Sequence, residues 1–154
     1  MQSAIWYRET LELAKALHAG QVDKAGAPYW LHLERVAQRL IERFPDATKA
    51  QVQAALLHDA IEDAGVTPDQ LRDLGIEEEA IAAIQLVSRN LSPEGSYLEW
   101  IARIAVSGNT TAIRVKLADN LDNSDPVRVA GIAAGPRMVV EKYAPARAIL
   151  EQAL

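Results

Sequence analysis

Apolar residues recur along this chain at three- and four-residue intervals, the spacing that stacks side chains on one face of an α-helix. Trp6, Leu11, Leu13, Ala14 and Leu17 predict a first helix, capped by Ser3 and stopped near Ala19 and Gly20. Leu33, Val36, Ala37, Leu40 and Ile41 predict a second, from about residue 30 to 43, ended by Pro45. Thr48 suits the cap of a third, which continues to about residue 64. Thr67-Pro68-Asp69-Gln70 combines a cap, a proline at the first helical position and an acidic first turn, so a short helix follows and ends at Gly75. Further helices are predicted over 77–87, from Ser92-Pro93-Glu94 to about 106, and over 110–123. Ser124-Asp125-Pro126 opens a segment that Gly131 and Gly135 interrupt, and the last helix, from about 136 to 154, has to kink or break at Pro145. No window alternates with period two for long; the run 113–115 is strand-like but lies between helical flanks. The pattern predicts an all-α fold, a single compact helical bundle with short connections over residues 1–154.

One run departs from this pattern. Leu56-Leu57-His58-Asp59-Ala60-Ile61-Glu62-Asp63 sets four polar side chains into an Ala/Leu/Ile-rich stretch. In a continuous helix His58 and Glu62 lie four apart, Asp59 and Asp63 four apart, and Asp59 and Glu62 three apart, so at least three of them share one face. Such a helix looks like a site rather than a solvated charge run.

Composition narrows the classes. A chain of 154 residues is long enough to bury about two thirds of its unfolded surface. With 49% hydrophobic and 24% charged residues it suits an ordinary globular protein. A net charge of −5 argues against a nucleic-acid backbone as partner. Absence of cysteine excludes disulfides, thiolate catalysis and Cys-based zinc sites. No window approaches the about 18 apolar residues of a membrane span, and the first nine residues lack a basic, long apolar leader. A cytoplasmic protein without membrane or nucleic-acid partners is therefore expected; oligomeric state stays open.

Only three histidines are present, His18, His32 and His58. His58 adjoins Asp59, His32 falls in the second helix, and Asp119 sits among apolar residues at helical spacing in Val115-Lys116-Leu117-Ala118-Asp119. Two imidazoles and two carboxylates suit one Mn²⁺ or Fe²⁺ ion with waters completing the shell. Each residue also has an ordinary structural explanation: the histidines as partly buried core groups, Asp119 as a cap or a partner of Lys116. Spacing alone leaves both readings open.

The order of motifs adds to this. His58-Asp59-Ala60-Ile61-Glu62-Asp63, after Tyr29-Trp30-Leu31-His32 and before Lys116-Leu117-Ala118-Asp119-Asn120, resembles the HD-domain phosphohydrolases. The likeness is greatest to the hydrolase domain of the RelA/SpoT enzymes and their stand-alone relatives, the small alarmone hydrolases of the metazoan SpoT-homologue type. His18-Ala19-Gly20-Gln21 and Lys24-Ala25-Gly26-Ala27-Pro28-Tyr29 look like the first loop of that family, and the likeness spans about residues 10 to 125. The resemblance implies that His32, His58, Asp59 and Asp119 bind one metal ion, usually Mn²⁺, and that Glu62 and Asp63 activate or position the attacking water. It implies hydrolysis of the 3′-pyrophosphate of (p)ppGpp, giving pyrophosphate and GDP or GTP. Lys24, Tyr29, Asn123 and His18 match positions near the nucleotide. Nothing past Asp119 suggests a synthetase half.

Departures fall on the substrate side. Asp23-Lys24-Ala25 stands where the family has a basic pair whose guanidinium packs on the guanine; Asp23 removes that cation–π contact and is expected to repel phosphates. Leu33 replaces a common proline, and Ser124-Asp125-Pro126 a more basic run. Arg35 is expected to meet either phosphate or a carboxylate, and Lys116 to be solvated or ion-paired. Two other functions stay in play: a phosphatase for another nucleotide (ppApp, NADPH or a nucleoside monophosphate), and a nucleotide sensor without turnover.

Overall fold

The computed structural model describes residues 5–154, so the expected Ser3 cap lies outside the described residues. Helix α3 (Lys49–Leu57) is the centre of the fold: every residue from Ala50 to Leu57 is buried. A helix that is apolar on all sides needs neighbours on all sides. These are α1 (Ile5–Leu17), α2 (Tyr29–Arg43), α6 (Glu78–Leu86) and α8 (Thr110–Asn123). The two buried polar residues of α3 are satisfied from outside, Gln51 by Arg114 Nη1 at 3.1 Å and Gln53 by the Glu77 N–H at 3.4 Å. Around this layer run α4 (Ala60–Ala64), α5 (Pro68–Asp73), a 3₁₀ turn (Arg89–Leu91), α7 (Tyr97–Val106), α9 (Pro126–Ala130), α10 (Gly135–Met138) and α11 (Ala144–Gln152). The chain is all-α; an isolated bridge between Val22 and Pro28, closing the first loop, is the one extended pairing among the described residues.

Most predicted stops and starts are made by the expected chemistry. Thr48, Thr67, Asn109 and Asp125 cap α3, α5, α8 and α9 through side-chain oxygens. Pro145 cannot donate an N–H, and the turn before it, Val139–Tyr143, widens to a π-helical turn.

Two boundaries differ from the sequence reading. Helix α7 starts after Ser96 rather than at Ser92, because Ser96 and Glu99 form a reciprocal capping box and Gly95 precedes it at φ +80°. The third helix is not continuous to residue 64. His58 Nδ1 donates to the Ala55 carbonyl at 2.8 Å, the acceptor that the Asp59 N–H would take in an unbroken helix. Helix α3 therefore ends at Leu57, and α4 restarts at Ala60. The break leaves His58 as the cap that ends α3 and Asp59 as the residue before α4, its carbonyl accepting from the Asp63 N–H at 2.8 Å.

Candidate metal centre

Three elements deliver the polar groups of the interior. Helix α2 buries Leu33, Val36, Ala37 and Leu40, and His32 lies on the same side, 2% exposed. The α3–α4 turn presents His58 and Asp59, and α8 buries Asp119, Asn120 and Asp122. One donor atom from each of His32, His58 and Asp59 lies within 4.8 Å of the others. Asp119 Oδ1 is 3.0 Å from His32 Nε2 and 3.3 Å from His58 Nε2.

The donor chemistry suits a cation at this point. His58 Nδ1 carries the proton it gives Ala55, so in the neutral ring Nε2 is the nitrogen that presents a lone pair. That nitrogen is buried without a hydrogen-bond partner, although Asp59 Oδ2 is 3.1 Å away. His32 repeats the arrangement, with Nδ1 donating to Asp122 Oδ2 at 2.6 Å and Nε2 facing Asp119. Two imidazole lone pairs and two carboxylates converging on one buried point are the donor set of a divalent ion, oriented by the hydrogen bonds behind them.

The electrostatics agree. Burial pulls the His58 pKa down, but the Asp59 and Asp119 charges overcome it and leave it well above 6.5. For His32, burial is outweighed by hydrogen bonds to Asp119 and Asp122. Burial works to raise Asp59 and Asp119, yet neighbouring positive charge, from His58 for the first and Lys116 then His58 for the second, holds both below the carboxylate range. A field that favours a proton on either imidazole also favours a metal cation between them.

A cavity of about 250 Å³ opens onto this group, lined among others by Lys24, Tyr29, His32, Asp59, Asp119, Asn123 and Arg128. A family model described as "HD domain" matches residues 10–130 of the chain. The chain belongs to the HD-domain family.

Relatives of this HD domain place it further. A Mycoplasma pneumoniae protein named probable guanosine-3′,5′-bis(diphosphate) 3′-pyrophosphohydrolase is 33% identical over 127 residues, covering 75% of this chain and 17% of the relative. A Myxococcus xanthus protein named GTP pyrophosphokinase is 34% identical over 116 residues, 70% of this chain and 15% of the relative. The HD domain thus spans under a fifth of these curated relatives. A solved structure described as a metazoan orthologue of SpoT that hydrolyses ppGpp superposes with a TM-score of 0.69 over 99% of this chain and 96% of its own, at 21% identity, and shares the fold.

Within the HD domain the remaining expected residues are placed as follows. Tyr29, at the start of α2, donates its hydroxyl to Asp59 Oδ2; burial first and the Asp59 charge second push its pKa far up, so it stays protonated. Asn123 lines the cavity and donates to Asp119 Oδ1 at 3.2 Å. Lys24 is exposed at the cavity wall, its Nζ 3.9 Å from Met138 Sδ. Glu62 and Asp63 lie on the exposed side of α4 and do not line the cavity. Burial first and the Asp59 charge second raise both their pKa values. His18 does not line the cavity either: it is buried, its Nδ1 meets Gln21 Oε1 at 2.8 Å, and its ring packs 5.4 Å from that of Tyr29.

One expectation is corrected, and two left open are decided. Asp23 lines the cavity but is not a free charge facing phosphates; its side chain is 4% exposed, accepts the N–H groups of Ala25 and Ala27, and lies 3.5 Å from Arg128 Nη2. Its charge is consumed within the loop and by Arg128. Of the two expectations for Lys116 the ion pair is the one observed: its Nζ is 2.9 Å from Asp119 Oδ2 and 4.8 Å above the Trp100 ring. Arg35 meets a carboxylate, Asp122, at 3.0 Å. Asp122 and Arg128 were absent from the sequence-derived site. The three-residue spacing of Asp119 and Asp122 on α8 was a signal for the former. Arg128 had none, because only the turn at Asp125-Pro126 brings α9 back to the cavity.

Proposed function

We propose that this chain acts as one HD hydrolase domain that removes the 3′-pyrophosphate of an alarmone nucleotide such as (p)ppGpp, releasing pyrophosphate and GDP or GTP. The observation that carries the reading is the convergence of His32 Nε2, His58 Nε2 and the Asp59 and Asp119 carboxylates beside a cavity that also holds Lys24 and Arg128. A relative named a 3′-pyrophosphohydrolase and a ppGpp-hydrolysing structural neighbour support the substrate class. The chain spans less than a fifth of the length of these curated relatives, so the substrate is proposed for the matching segment.

In this reading His32, His58, Asp59 and Asp119 hold a single divalent ion, Mn²⁺ by the family's usage or Fe²⁺ in its place. Such an ion lowers the pKa of water and draws charge from phosphoryl oxygens. The chain's residues do the rest. Glu62 and Asp63, one turn past Asp59, take the proton of the attacking water, and burial with the Asp59 charge, which raises their pKa values, makes them more basic for that task. Tyr29 fixes one oxygen of Asp59, and Lys116 occupies Asp119 Oδ2 so that Oδ1 faces the imidazoles. Lys24, Asn123 and Tyr29 line the side where the nucleotide's phosphates and nucleoside would lie. His18 supports Tyr29 by packing against its ring.

The deciding assay incubates the purified protein and Mn²⁺ with ppGpp, ppApp, NADPH and nucleoside monophosphates, and measures pyrophosphate and phosphate separately. Pyrophosphate from ppGpp is expected. Phosphate release from one of the others would transfer the assignment to a nucleotide phosphatase. No turnover of any, with metal bound, would leave a sensor and end the hydrolase reading.

A further inference from the structure

Asp122 is fully buried and accepts from four donors: His32 Nδ1 at 2.6 Å and Arg128 Nη1 at 2.8 Å on Oδ2, and the Nε atoms of Arg35 and Arg39, each at 3.0 Å, on Oδ1. We propose that Asp122 is the positioning residue that sets His32 as a metal ligand, and that Arg128 ties Asp122 to Asp23 so that this ligand and the first loop are held as one unit. The inference rests on the metal centre proposed above and assigns two residues that the ligand set does not include.

A buried carboxylate beside three guanidinium groups is ionised and offers only lone pairs. The imidazole nitrogen 2.6 Å from it must therefore carry a hydrogen. This decides the tautomer of His32. Arg128 Nη1 also lies 3.1 Å from His32 Nδ1, which by itself would suit the opposite tautomer, with Arg128 donating to a bare Nδ1. That arrangement would set a nitrogen lone pair against a carboxylate oxygen at the shortest contact of the cluster. With Nδ1 engaged in this way, Nε2 is the nitrogen that faces Asp119 Oδ1 and the metal point, and the one left bare for a cation when the ring is neutral. Arg35 and Arg39 are on α2 together with His32, whereas Asp122 is on α8 with Asp119. The network thus locks the two ligand-bearing helices to each other at the site.

Arg128 extends the network outward. Its Nη2 is 3.5 Å from Asp23 Oδ2, and Nη1 reaches Asp122 Oδ2 and, at 3.2 Å, Asn123 Oδ1. Asp23 Oδ1 holds the loop backbone at Ala25 and Ala27, on either side of Gly26 and next to Lys24. Loop order and His32 orientation therefore share one guanidinium. Coupling through such a shared group is reciprocal: what orders the loop tightens metal binding, and the converse.

The test is calorimetric Mn²⁺ binding to the full chain, with the fold checked by circular dichroism. Asp122→Asn keeps the shape but loses the charge, and is expected to bind Mn²⁺ about ten- to a hundredfold more weakly. Asp23→Asn keeps an acceptor for Ala25 and Ala27 but loses the charge facing Arg128. It is expected to weaken Mn²⁺ binding several-fold in the wild type and not at all in an Arg128→Gln background. Should Asp122→Asn fail to fold, nitrogen-15 NMR of wild-type apoprotein, above the titration of the ring, still reads His32 directly. A proton on Nδ1 is expected, and one on Nε2 overturns the proposal. Equal Mn²⁺ affinity in wild type and Asp122→Asn overturns it as well, and an Asp23→Asn effect that persists without Arg128 removes the link to the loop. None of these readouts uses turnover, so a protein that binds metal in this way but hydrolyses nothing would refute only the hydrolase reading.

Discussion

Tyr29 donates its phenolic hydrogen to Asp59 Oδ2, joining the first residue of α2 to the turn between α3 and α4. One hydroxyl thus fixes the rotamer of a proposed ligand and faces the cavity from the end of the first loop. A hydrogen bond to a charged group contributes about 1.5–3 kcal/mol. Tyr29→Phe is therefore expected to lower Mn²⁺ affinity by roughly ten- to a hundredfold, measured by calorimetry. Unchanged affinity would mean that Asp59 is held by His58 alone.

Asp59 and Glu62 are expected to separate cleanly. Asp59→Ala removes a donor from the converging set and should abolish metal retention through gel filtration, read by elemental analysis. Glu62→Ala lies on the exposed side of α4 and should keep the metal but lose about 10²- to 10⁴-fold in turnover. Equal metal loss in both variants would show that the division between ligand and water-handling residues is misplaced.

Lys116 is expected to act as a counter-charge more than as a surface cation. Removing one partner of a buried pair costs roughly 3–5 kcal/mol, because the other charge is left uncompensated. Lys116→Met should lower the apoprotein Tm, and added Mn²⁺ should raise the Tm of the variant by more than it raises that of the wild type. The added cation then compensates Asp119 in place of the ammonium. A variant as stable as wild type without metal would contradict this.

Restoring a basic residue in the first loop is expected to harm the protein. Asp23→Arg would leave the Ala25 and Ala27 N–H groups without their acceptor and set a second guanidinium against Arg128. A lower kcat/KM toward ppGpp is expected. An increase would mean that the loop can turn outward and that base stacking dominates.

Acid should weaken the Asp122 network in a defined window. Burial works to raise the Asp122 pKa, but hydrogen bonds from His32 and Arg35 and their charges bring it far below 3.8. A carboxylate with a depressed folded-state pKa contributes stability that is fully present above its unfolded value of about 3.9 and is lost as pH falls through the folded value. The Tm difference between wild type and Asp122→Asn should therefore be constant above about pH 5 and shrink below about pH 4. A difference that shrinks already between pH 8 and 6 would point to His32 instead.

Much of the site was legible because its residue types are rare in their surroundings. His32, His58, Asp59 and Asp119 are polar residues within apolar helical stripes, and each one is in the converging group. The helix ends were legible at Thr48, Thr67, Asn109 and Asp125, where the cap acts within three residues. The α3–α4 break was not, because a hydrogen bond from His58 to Ala55 looks, in sequence, like any other i, i−3 pair. The partner of Asp23 was hidden for a related reason: Arg128 is more than a hundred residues away.

The chain by itself determined the all-α class and most of the helices, since these depend on local periodicity and caps, and the order of its motifs, through their resemblance to the HD-domain phosphohydrolases, implied the proposed ligands. The tertiary structure decided which groups those ligands lean on. Tyr29 on Asp59, Lys116 on Asp119, and the Asp23–Arg128–Asp122–His32 series are contacts in which charge is neutralised in a buried place. The sign of such a charge is written in the sequence, but its partner is chosen only when α2, α8 and α9 pack together.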